Sequence, residues 1–261
     1  MVMVLNEEQV MLKDAAAGFL AEKATVAHLR ELRDSGSESG FDTAVWKEMA
    51  DMGWTGIAIP EAFGGLGYGY TGLGLVLEQA GRHLSLSPLQ STVLVGATLI
   101  SELGSQAQQE QLLPAIAAGQ KIVTLALQEG RHHAPESVAA TATAAGEDWI
   151  LDGGKVLVLD AHVADSFVVI ARSAGQAGDT AGLSAFVVDA GAEGLTVERR
   201  SLVDSRNAGA LNLQGVRVPA SSLLGSAGEA WAGLSRSLDI ANIGIAAELL
   251  GLSCEAFERT V

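Results

Sequence analysis

The stretch WILDGGKVLVLD, residues 149–160, decides how the chain folds. It is short, rich in Val and Leu, and punctuated by Gly and Asp, which is typical of a β-strand bounded by turns. Comparable runs recur around it at intervals of about ten residues, which predicts an antiparallel barrel or sandwich. Long helices do not interrupt these runs, so parallel βαβ units are disfavoured. The other runs are IVTLAL, SFVVIAR, LSAFVVDA, LTVERR and ALNLQGVRVP.

Helical patterns flank this β-region on both sides. Asn6 and Gln9 have the spacing of a capping box before an apolar helical stripe, and a further helical pattern runs over residues 92–103. The helical period returns at Glu229 and is still running at Val261. This order predicts an α+β fold with three parts. They are an N-terminal all-helical domain (1–119), a middle β-domain (120–226) and the first helix of a C-terminal helical-bundle domain (227–261), incomplete in this chain.

Composition limits the classes of partner. The 261 residues are 48% hydrophobic and carry a formal net charge of −15, so the chain buries a sizeable core and repels nucleic-acid phosphates and anionic lipids. We find no stretch near the roughly 20 apolar residues of a membrane span and no signal peptide. A single cysteine, Cys254, fits a reducing compartment. We therefore expect a cytoplasmic protein without membrane insertion.

Residues 67–72, GYGYTG, match the pattern G-x-G-x-x-G. A dinucleotide fingerprint of this kind needs a strand before it, a helix after it and a βαβ unit around it. The residues before it are mostly helical in pattern, and no parallel strand is expected after it. We interpret the stretch as a connector in which glycine permits close backbone approach.

The stretch LALQEGRHHAPE, residues 125–136, begins as a strand and becomes a loop with two adjacent histidines. His132 and His133 lack companions at metal-ligand spacing, so we expect no metal site. The context of a Ser-His-Asp triad is also missing. Arg131, the imidazoles and the N–H groups of a turn are suited to bind a phosphate, whereas a solvated loop is an equally good interpretation. Both interpretations stay open on the residues alone.

Five segments, in this order, resemble the acyl-CoA dehydrogenase family. Together they extend along essentially the whole chain, and each is similar to one of that family's motifs. They are IPEAFGGLGYGY (59–70), LGSQAQQEQLLPAIAAGQKIVTLALQE (103–129), WILDGGKVLVLDAHVADSFVVIAR (149–172), GVRVPASSLLG (215–225) and LDIANIGIAAELLG (238–251).

The resemblance implies the three-domain fold given above, FAD as cofactor and an acyl-CoA thioester as substrate. In this family a Glu base removes the α-proton while the β-hydrogen leaves as hydride, in a pocket of low dielectric constant. The base falls beyond Val261, so no catalytic residue is assigned within the chain. The resemblance also implies a tetramer, with an α2β2 assembly with a paralogous subunit as the form considered.

The site residues transferred by this resemblance fall into two groups. Those assigned to the cofactor are Leu125, Leu127, Gln128, Arg131, Leu157, Val158 and Leu159. Those assigned to the substrate are Arg206, Asn207, Asp239 and Asn242.

Four of these positions depart from the family pattern. Gln128 replaces a flavin-bonding Thr, Leu157 replaces a Trp, Leu159 replaces a Thr, and Asn242 replaces an Arg. Leucine has no hydrogen-bonding group, so the departures weaken the polar contacts to the flavin.

Two functions are therefore considered. The first is an acyl-CoA dehydrogenase-like subunit of a hetero-oligomer that oxidises an acyl-CoA, with bulky steroid side-chain thioesters as the substrate suggested by analogy. The alternative is a non-catalytic or half-site subunit that stabilises a catalytic paralogue and lacks a functional flavin site of its own.

Overall fold

A computed structural model describes residues 4–261 of the chain. Helices make up the first part and return at the end. The α-helices are α1 (Glu7–Lys23), α2 (Val26–Asp34), α3 (Thr43–Asp51), α4 (Gly69–His83), α5 (Ala97–Leu103), α6 (Gln106–Ala117) and α7 (Trp231–Glu258). The 3-10 turns are Trp54–Gly56, Glu61–Phe63, Pro135–Ser137 and Ala220–Ser222, and a π-helix spans Leu89–Gly96.

The start of α1 confirms the predicted capping box. The Asn6 side chain accepts a hydrogen bond from the Gln9 backbone N–H at 2.8 Å, and the Gln9 side chain accepts one from the Asn6 N–H at 3.0 Å. Two N–H groups that have no partner inside the helix are thus satisfied. Residues 67 and 68 of the stretch GYGYTG precede α4, whereas residues 69–72 form its first turn, so only the start of the stretch is a connector.

The helix predicted over residues 92–103 is present, but its first part is not wound as an α-helix. The chain there is wound as the π-helix Leu89–Gly96, and α5 continues from it. The Thr92 hydroxyl accepts a hydrogen bond from the Val123 backbone N–H, and a Cβ on Gly96 would overlap the Val123 carbonyl. The close approach of a strand to this segment explains why the winding departs from the sequence pattern.

The β-domain has eight strands in one sheet. The strands are β1 (Val123–Ala126), β2 (Thr141–Ala145), β3 (Asp148–Leu159), β4 (Ser166–Arg172), β5 (Leu183–Asp189), β6 (Leu195–Ser201), β7 (Asn207–Pro219) and β8 (Leu223–Leu224). Their order is β6-β7-β3-β2-β4-β5-β8, with β1 beside β4.

The sheet is mixed, which corrects the expectation of a purely antiparallel one. β1 pairs with β4 in parallel over four residue pairs, and β2 meets β4 in parallel at Thr141 and Arg172. The other strand pairs are antiparallel. The connection from β1 to β4, residues 127–165, contains β2 and β3, so the parallel pair forms without the crossover helix of a βαβ unit.

Strand β4 is buried on both faces and joins two hydrophobic cores. Phe167 and Val169 pack with the helices of the first part and with β3 and β7. Val168 and Ile170 pack with α5, α6, β5 and the start of α7. Because one strand contributes to both cores, the helical segments and the sheet share their apolar interior.

Helix α7 packs along α4 and is unusually long and apolar. It has 28 residues, and one 18-residue window has a mean hydropathy of 1.4. By length and composition alone this window is enough for a membrane span, so the expectation that no stretch comes near one is wrong on that count. Ser237 and Glu248 are buried on the face that meets the rest of the structure. Core helices pass the same test of length and hydropathy, so these values alone do not show that α7 crosses a membrane.

Candidate functional site

A cavity of about 450 Å³ lies where β1, β3, the π-helix and α7 meet. We call it the flavin cavity, after the cofactor that the sequence resemblance implies. Leucine, valine, isoleucine and alanine form most of its wall, and polar groups collect at one end. Its lining residues are Ser91, Val95, Thr124, Leu125, Leu127, Gln128, Arg131, His133, Leu157, Leu159, Leu238, Ala241, Asn242 and Ile245. Its size and mainly apolar wall suit a small-molecule ligand.

Strand β1 gives the cavity backbone hydrogen-bonding groups. β1 pairs with β4 along one edge, while the Val123 N–H donates to Thr92 on the other side. Successive residues of a strand direct their N–H and carbonyl groups to alternate edges. The N–H and carbonyl of Leu125 are therefore directed away from β4, toward the same side as those of Val123.

Strand β3 reaches the cavity through an irregularity. Its register with β7 shifts between Lys155 and Val158, and Leu157 inside this bulge has φ of 52°. The side chain of Leu157 is 53% exposed. A leucine in the left-handed region is strained by about 1–2 kcal/mol, and such strain concentrates at ligand sites. The bulge turns Leu157 and Leu159 into the cavity and Val158 into the core, where it is 1% exposed.

The opposite wall comes from the π-helix and α7. Leu238, Ala241 and Ile245 recur at helical spacing on α7 and present an apolar surface, with Val95 of the π-helix beside them. Asn242 lies on the same helix and is exposed at the cavity. This wall is suited to an apolar chain, with one amide at its edge.

The loop after β1 supplies the polar end. Arg131 and His133 line the cavity, whereas His132 does not. The Gln128 side-chain amide donates to the carbonyls of Gly130 and His132, the former at 2.8 Å. The N–H groups of the side-chain amide are thus used inside the loop, and its side-chain carbonyl oxygen is the part available to a ligand.

Two buried cations anchor this loop. Lys155 is 0% exposed, and its ammonium donates to Glu129 at 2.6 Å and to the Leu127 carbonyl at 3.3 Å. Burial lowers the pKa of Lys155 while Glu129 opposes that shift. Glu129 also accepts hydrogen bonds from the N–H groups of Ala139 and Ala140. The loop is therefore fixed at its base by a satisfied ion pair.

Arg172 of β4 anchors the far side of the same loop. It is 7% exposed, and its guanidinium donates to five backbone carbonyls. Those of Glu136 and Val138 lie beyond the histidines, and the other three lie in the β4–β5 connection. Sequence reasoning did not single out Lys155 or Arg172, because a lone charged residue in a strand gives no signal of burial.

The remaining sequence-assigned residues lie outside the flavin cavity. Asp239 is exposed on α7 and does not line it. Arg206 and Asn207 line other cavities, beside the turn between β6 and β7. The structure thus brings together six of the seven residues assigned to the cofactor and one of the four assigned to the substrate.

A buried polar cluster separates Arg206 and Asn207 from the flavin cavity. The Ser91 hydroxyl donates to Asp160 at 2.6 Å. Burial raises the pKa of Asp160 to about 6, although hydrogen bonds from Ser91 and Asn207 and the charge of Arg206 oppose the shift. Arg206 pairs with the buried Glu248 of α7. The cluster forms the polar wall behind Ser91, and its members are too far apart in sequence to be recognised there.

The flavin cavity offers groups that fit a flavin. The directed backbone N–H and carbonyl of Leu125 and the side-chain carbonyl of Gln128 can bond the polar edge of a heterocycle, and Leu157 and Leu159 can cover its face. Arg131 provides a cation for a phosphate. Within residues 4–261, groups of three or more His, Cys, Asp or Glu side chains that would hold a metal ion are not found.

Two family models match the chain. One is described as acyl-CoA dehydrogenase, N-terminal domain, and covers residues 6–120. The other is described as acyl-CoA dehydrogenase, middle domain, and covers residues 128–216. The chain is also similar to a Bacillus subtilis protein named acyl-CoA dehydrogenase, at 28% identity over 99% of this chain and 69% of that protein.

Solved structures give the same picture. A variant of the Tcur3481-Tcur3483 steroid ACAD matches with a TM-score of 0.85 and 34% identity, over 97% of this chain and 65% of that one. The ChsE4-ChsE5 complex from Mycobacterium tuberculosis matches with a TM-score of 0.87 and 25% identity, over 100% of this chain and 67% of that one. The chain thus spans 65–69% of the length of these relatives.

Proposed function

The chain belongs to the acyl-CoA dehydrogenase family, and from that premise we propose that it is a subunit for the α,β-dehydrogenation of an acyl-CoA. Members of this family depend on FAD. The observation that carries the proposal is the flavin cavity, which joins an apolar wall to a cationic end. The proposal includes a cytoplasmic location and a hetero-oligomer.

Different residues of the cavity would bind different parts of the cofactor. Leu125 and Gln128 would hold the polar edge of the isoalloxazine ring, and Arg131 with His133 would bind phosphate oxygens. When bound, FAD supplies the acceptor for the hydride that leaves the β-carbon of the acyl group. Leu157 and Leu159 exclude water, which strengthens the electrostatic interactions inside the cavity.

The acyl group would lie on the wall formed by Leu238, Ala241 and Ile245. Asn242 is the polar group of α7 nearest to that wall, and we propose it as a hydrogen-bonding contact for the CoA portion. Asp239, exposed one turn away, is proposed as a contact outside the cavity. Arg206 and Asn207 would act indirectly. Arg206 pairs with Glu248 and Asn207 bonds to Asp160, and this polar cluster supports Ser91 in the wall of the cavity.

A FAD titration of the purified protein tests the cofactor site. Flavin absorbance and the quenching of flavin fluorescence report binding directly. Arg131→Ala is expected to weaken the affinity for FAD or CoA about tenfold, since a charge-assisted hydrogen bond contributes roughly 1.5–3 kcal/mol. Arg217→Ala, at an exposed arginine of β7, is the matched control. A protein that takes up no FAD, or unchanged affinities for both ligands in Arg131→Ala, would contradict this part of the proposal.

A second function, the half-site partner, is favoured by one observation. Leu157 and Leu159, which replace a Trp and a Thr of the family pattern, line the cavity and have no hydrogen-bonding group to offer a flavin. Two of the solved relatives are complexes named for two proteins, Tcur3481-Tcur3483 and ChsE4-ChsE5. In this version the chain completes the active site of a paralogue with which it forms an α2β2 assembly, and the substrate is a bulky thioester such as a steroid side-chain CoA.

Co-expression with a neighbouring paralogue distinguishes the two versions. The half-site version predicts that the protein alone is inactive and that a co-purified complex oxidises steroid side-chain CoA thioesters. Analytical ultracentrifugation gives the stoichiometry, and the flavin content per complex gives the number of sites. A fully active tetramer of this chain alone would reject the half-site version.

A further inference from the structure

Two adjoining cavities open on the opposite side of the polar cluster. Each has a volume of about 440 Å³, and they share Arg33, Leu86, Val203, Ser205 and Arg206. Together they form a groove between α2, the turn from β6 to β7, and α7. We call it the arginine groove. It has no lining residue in common with the flavin cavity.

Positive charge is concentrated in this groove. Arg30, Arg33, Arg199, Arg200 and Arg206 line it, which is five of the 11 arginines in a chain whose net charge is −15. The carboxylates in its lining are Asp204 and Glu248. An acidic protein that gathers its arginines in one groove creates a local site for an anion.

Several of these charges are available to a ligand. Arg199 donates to the carbonyls of Ser37 and Glu38 and to the amide of Asn207, so its partners leave its charge uncompensated. Arg30 is exposed and forms no ion pair with any residue of the described range 4–261. The pairs of Arg33 with Asp34 and of Arg200 with Glu198 are exposed and hence weak.

The floor of the groove is apolar. Leucines and a valine from three separate segments line one half, and the fully exposed Val203, in the turn between β6 and β7, lines both halves. A groove with this lining suits an apolar body and an anionic head at the same time, and its volume is that of ordinary small-molecule sites. The apolar lining residues are Val26, Leu29, Leu32, Leu84, Leu86, Leu202, Val203, Leu249 and Leu252.

We propose that the arginine groove is a second ligand site, distinct from the flavin cavity, which binds an amphipathic anion. The ligand places a carboxylate or phosphate head among Arg30, Arg33 and Arg199 and an apolar chain against the leucines. Both heads present the oxyanion that arginine binds, often through two parallel hydrogen bonds. This site does not depend on the proposed dehydrogenase activity.

Isothermal titration of the full chain tests the site with three probes. Decanoate and decyl phosphate carry the two heads, and decanol carries the same chain without charge. Decanoate or decyl phosphate is expected to bind at least tenfold more tightly than decanol, and the tighter of the two identifies the head. Equal binding of decanol, or no binding of either anion, would overturn the proposal.

Two sets of variants locate the binding. The double variant Arg30→Gln, Arg33→Gln is expected to weaken anion binding at least tenfold, and Val203→Glu is expected to weaken it as well because it adds a negative charge at the rim. All three positions are partly or fully exposed, so folding is retained. The matched control is Arg217→Gln with Arg236→Gln, two exposed arginines outside the groove. Unchanged affinity in both groove variants would show that the anion binds elsewhere.

Discussion

At the scale of single residues, the ion pair between Lys155 and Glu129 is expected to have a large effect on the free energy of unfolding. Lys155 is fully buried, and its removal would leave the carboxylate of Glu129, which is 19% exposed, without its cation. The loss of one partner of a buried pair is far more destabilising than the loss of an exposed pair, because the remaining charge stays desolvated.

Lys155→Met is therefore expected to lower the free energy of unfolding by about 3 kcal/mol. Urea denaturation followed by circular dichroism measures it. The control is Arg217→Met, which removes the exposed pair with Asp148 and is expected to change the same quantity by less than about 1 kcal/mol. Equal effects of the two variants would mean that water or other polar groups solvate the carboxylate of Glu129 when Lys155 is absent.

Asp160 makes stability depend on pH with a definite sign. Its pKa is raised from 3.8 to about 6 in the folded protein, so the folded state binds the proton more tightly than the unfolded state. The associated stability is complete below the unfolded pKa and is lost as the pH rises through about 6. The difference between the two pKa values corresponds to about 3 kcal/mol.

Asp160→Asn removes this ionisation. Relative to the parent protein, the variant is expected to gain up to about 3 kcal/mol in free energy of unfolding as the pH rises from about 4 to about 7. Urea denaturation at both pH values measures the gain, and Asp239→Asn at an exposed site is the control. A pH-independent difference between Asp160→Asn and the parent would contradict the raised pKa.

Single residues are also where sequence reasoning reached least far. Leu125, Gln128 and Leu157, which the resemblance assigned to the cofactor, line one cavity. The resemblance did not separate Arg206 from that cavity. A turn residue's position depends on contacts with Glu248, which lies 42 residues away in sequence and on another element.

At the scale of elements, the contact between α4 and α7 depends on glycine. A Cβ on Gly251 would overlap the carbonyl oxygen of Glu78, and a Cβ on Gly81 would overlap that of Glu248. These glycines let the two helix backbones approach closely. Gly74 lies on the same helix pair, yet a Cβ there would meet Ala247 at an ordinary 3.8 Å.

Gly251→Ala is expected to lower the free energy of unfolding by about 1–3 kcal/mol, because the backbone atom it meets cannot move aside. Gly74→Ala is expected to leave it unchanged or to raise it by up to about 1 kcal/mol, since alanine is the better helix former. Thermal and urea denaturation of both variants measure the contrast. Equal effects of the two variants would mean that α4 and α7 can move apart without a loss in the free energy of unfolding.

Most elements could be predicted from the sequence, whereas their pairing could not. The alternation and spacing of apolar residues predicted the strands, and the Asn6 cap predicted the start of α1. The parallel pairing of β1 with β4 and the π-helix at Leu89–Gly96 were missed. Both features lie where Val123 contacts Thr92 and Gly96. Contacts between segments that are distant in sequence do not appear in the periodicity of apolar residues.

At the scale of the whole molecule, the shared cores predict cooperative unfolding. The first core contains residues of α1 and α4 together with residues of β3, β4 and β7. Elements that share buried apolar surface lose it together, so the helical segments and the sheet are expected to unfold in one transition.

Hydrogen exchange followed by mass spectrometry tests this expectation. Amides of α4 and of β4 are expected to exchange with the same free energy of opening. Amides of α2, which has no buried residue, are expected to exchange much sooner. Two well-separated free energies for α4 and β4 would show instead that the helical part and the sheet are independent domains.

The double anchoring of the loop after β1 has an evolutionary consequence. Glu129 and Arg172 hold the two ends of the loop, so the stability of the fold does not depend on the side chains at its tip, from Gly130 to His133. Substitutions there change what the loop presents to a ligand while the scaffold is conserved. Such a segment diversifies freely after gene duplication, and paralogues built on this scaffold are expected to differ most at this tip.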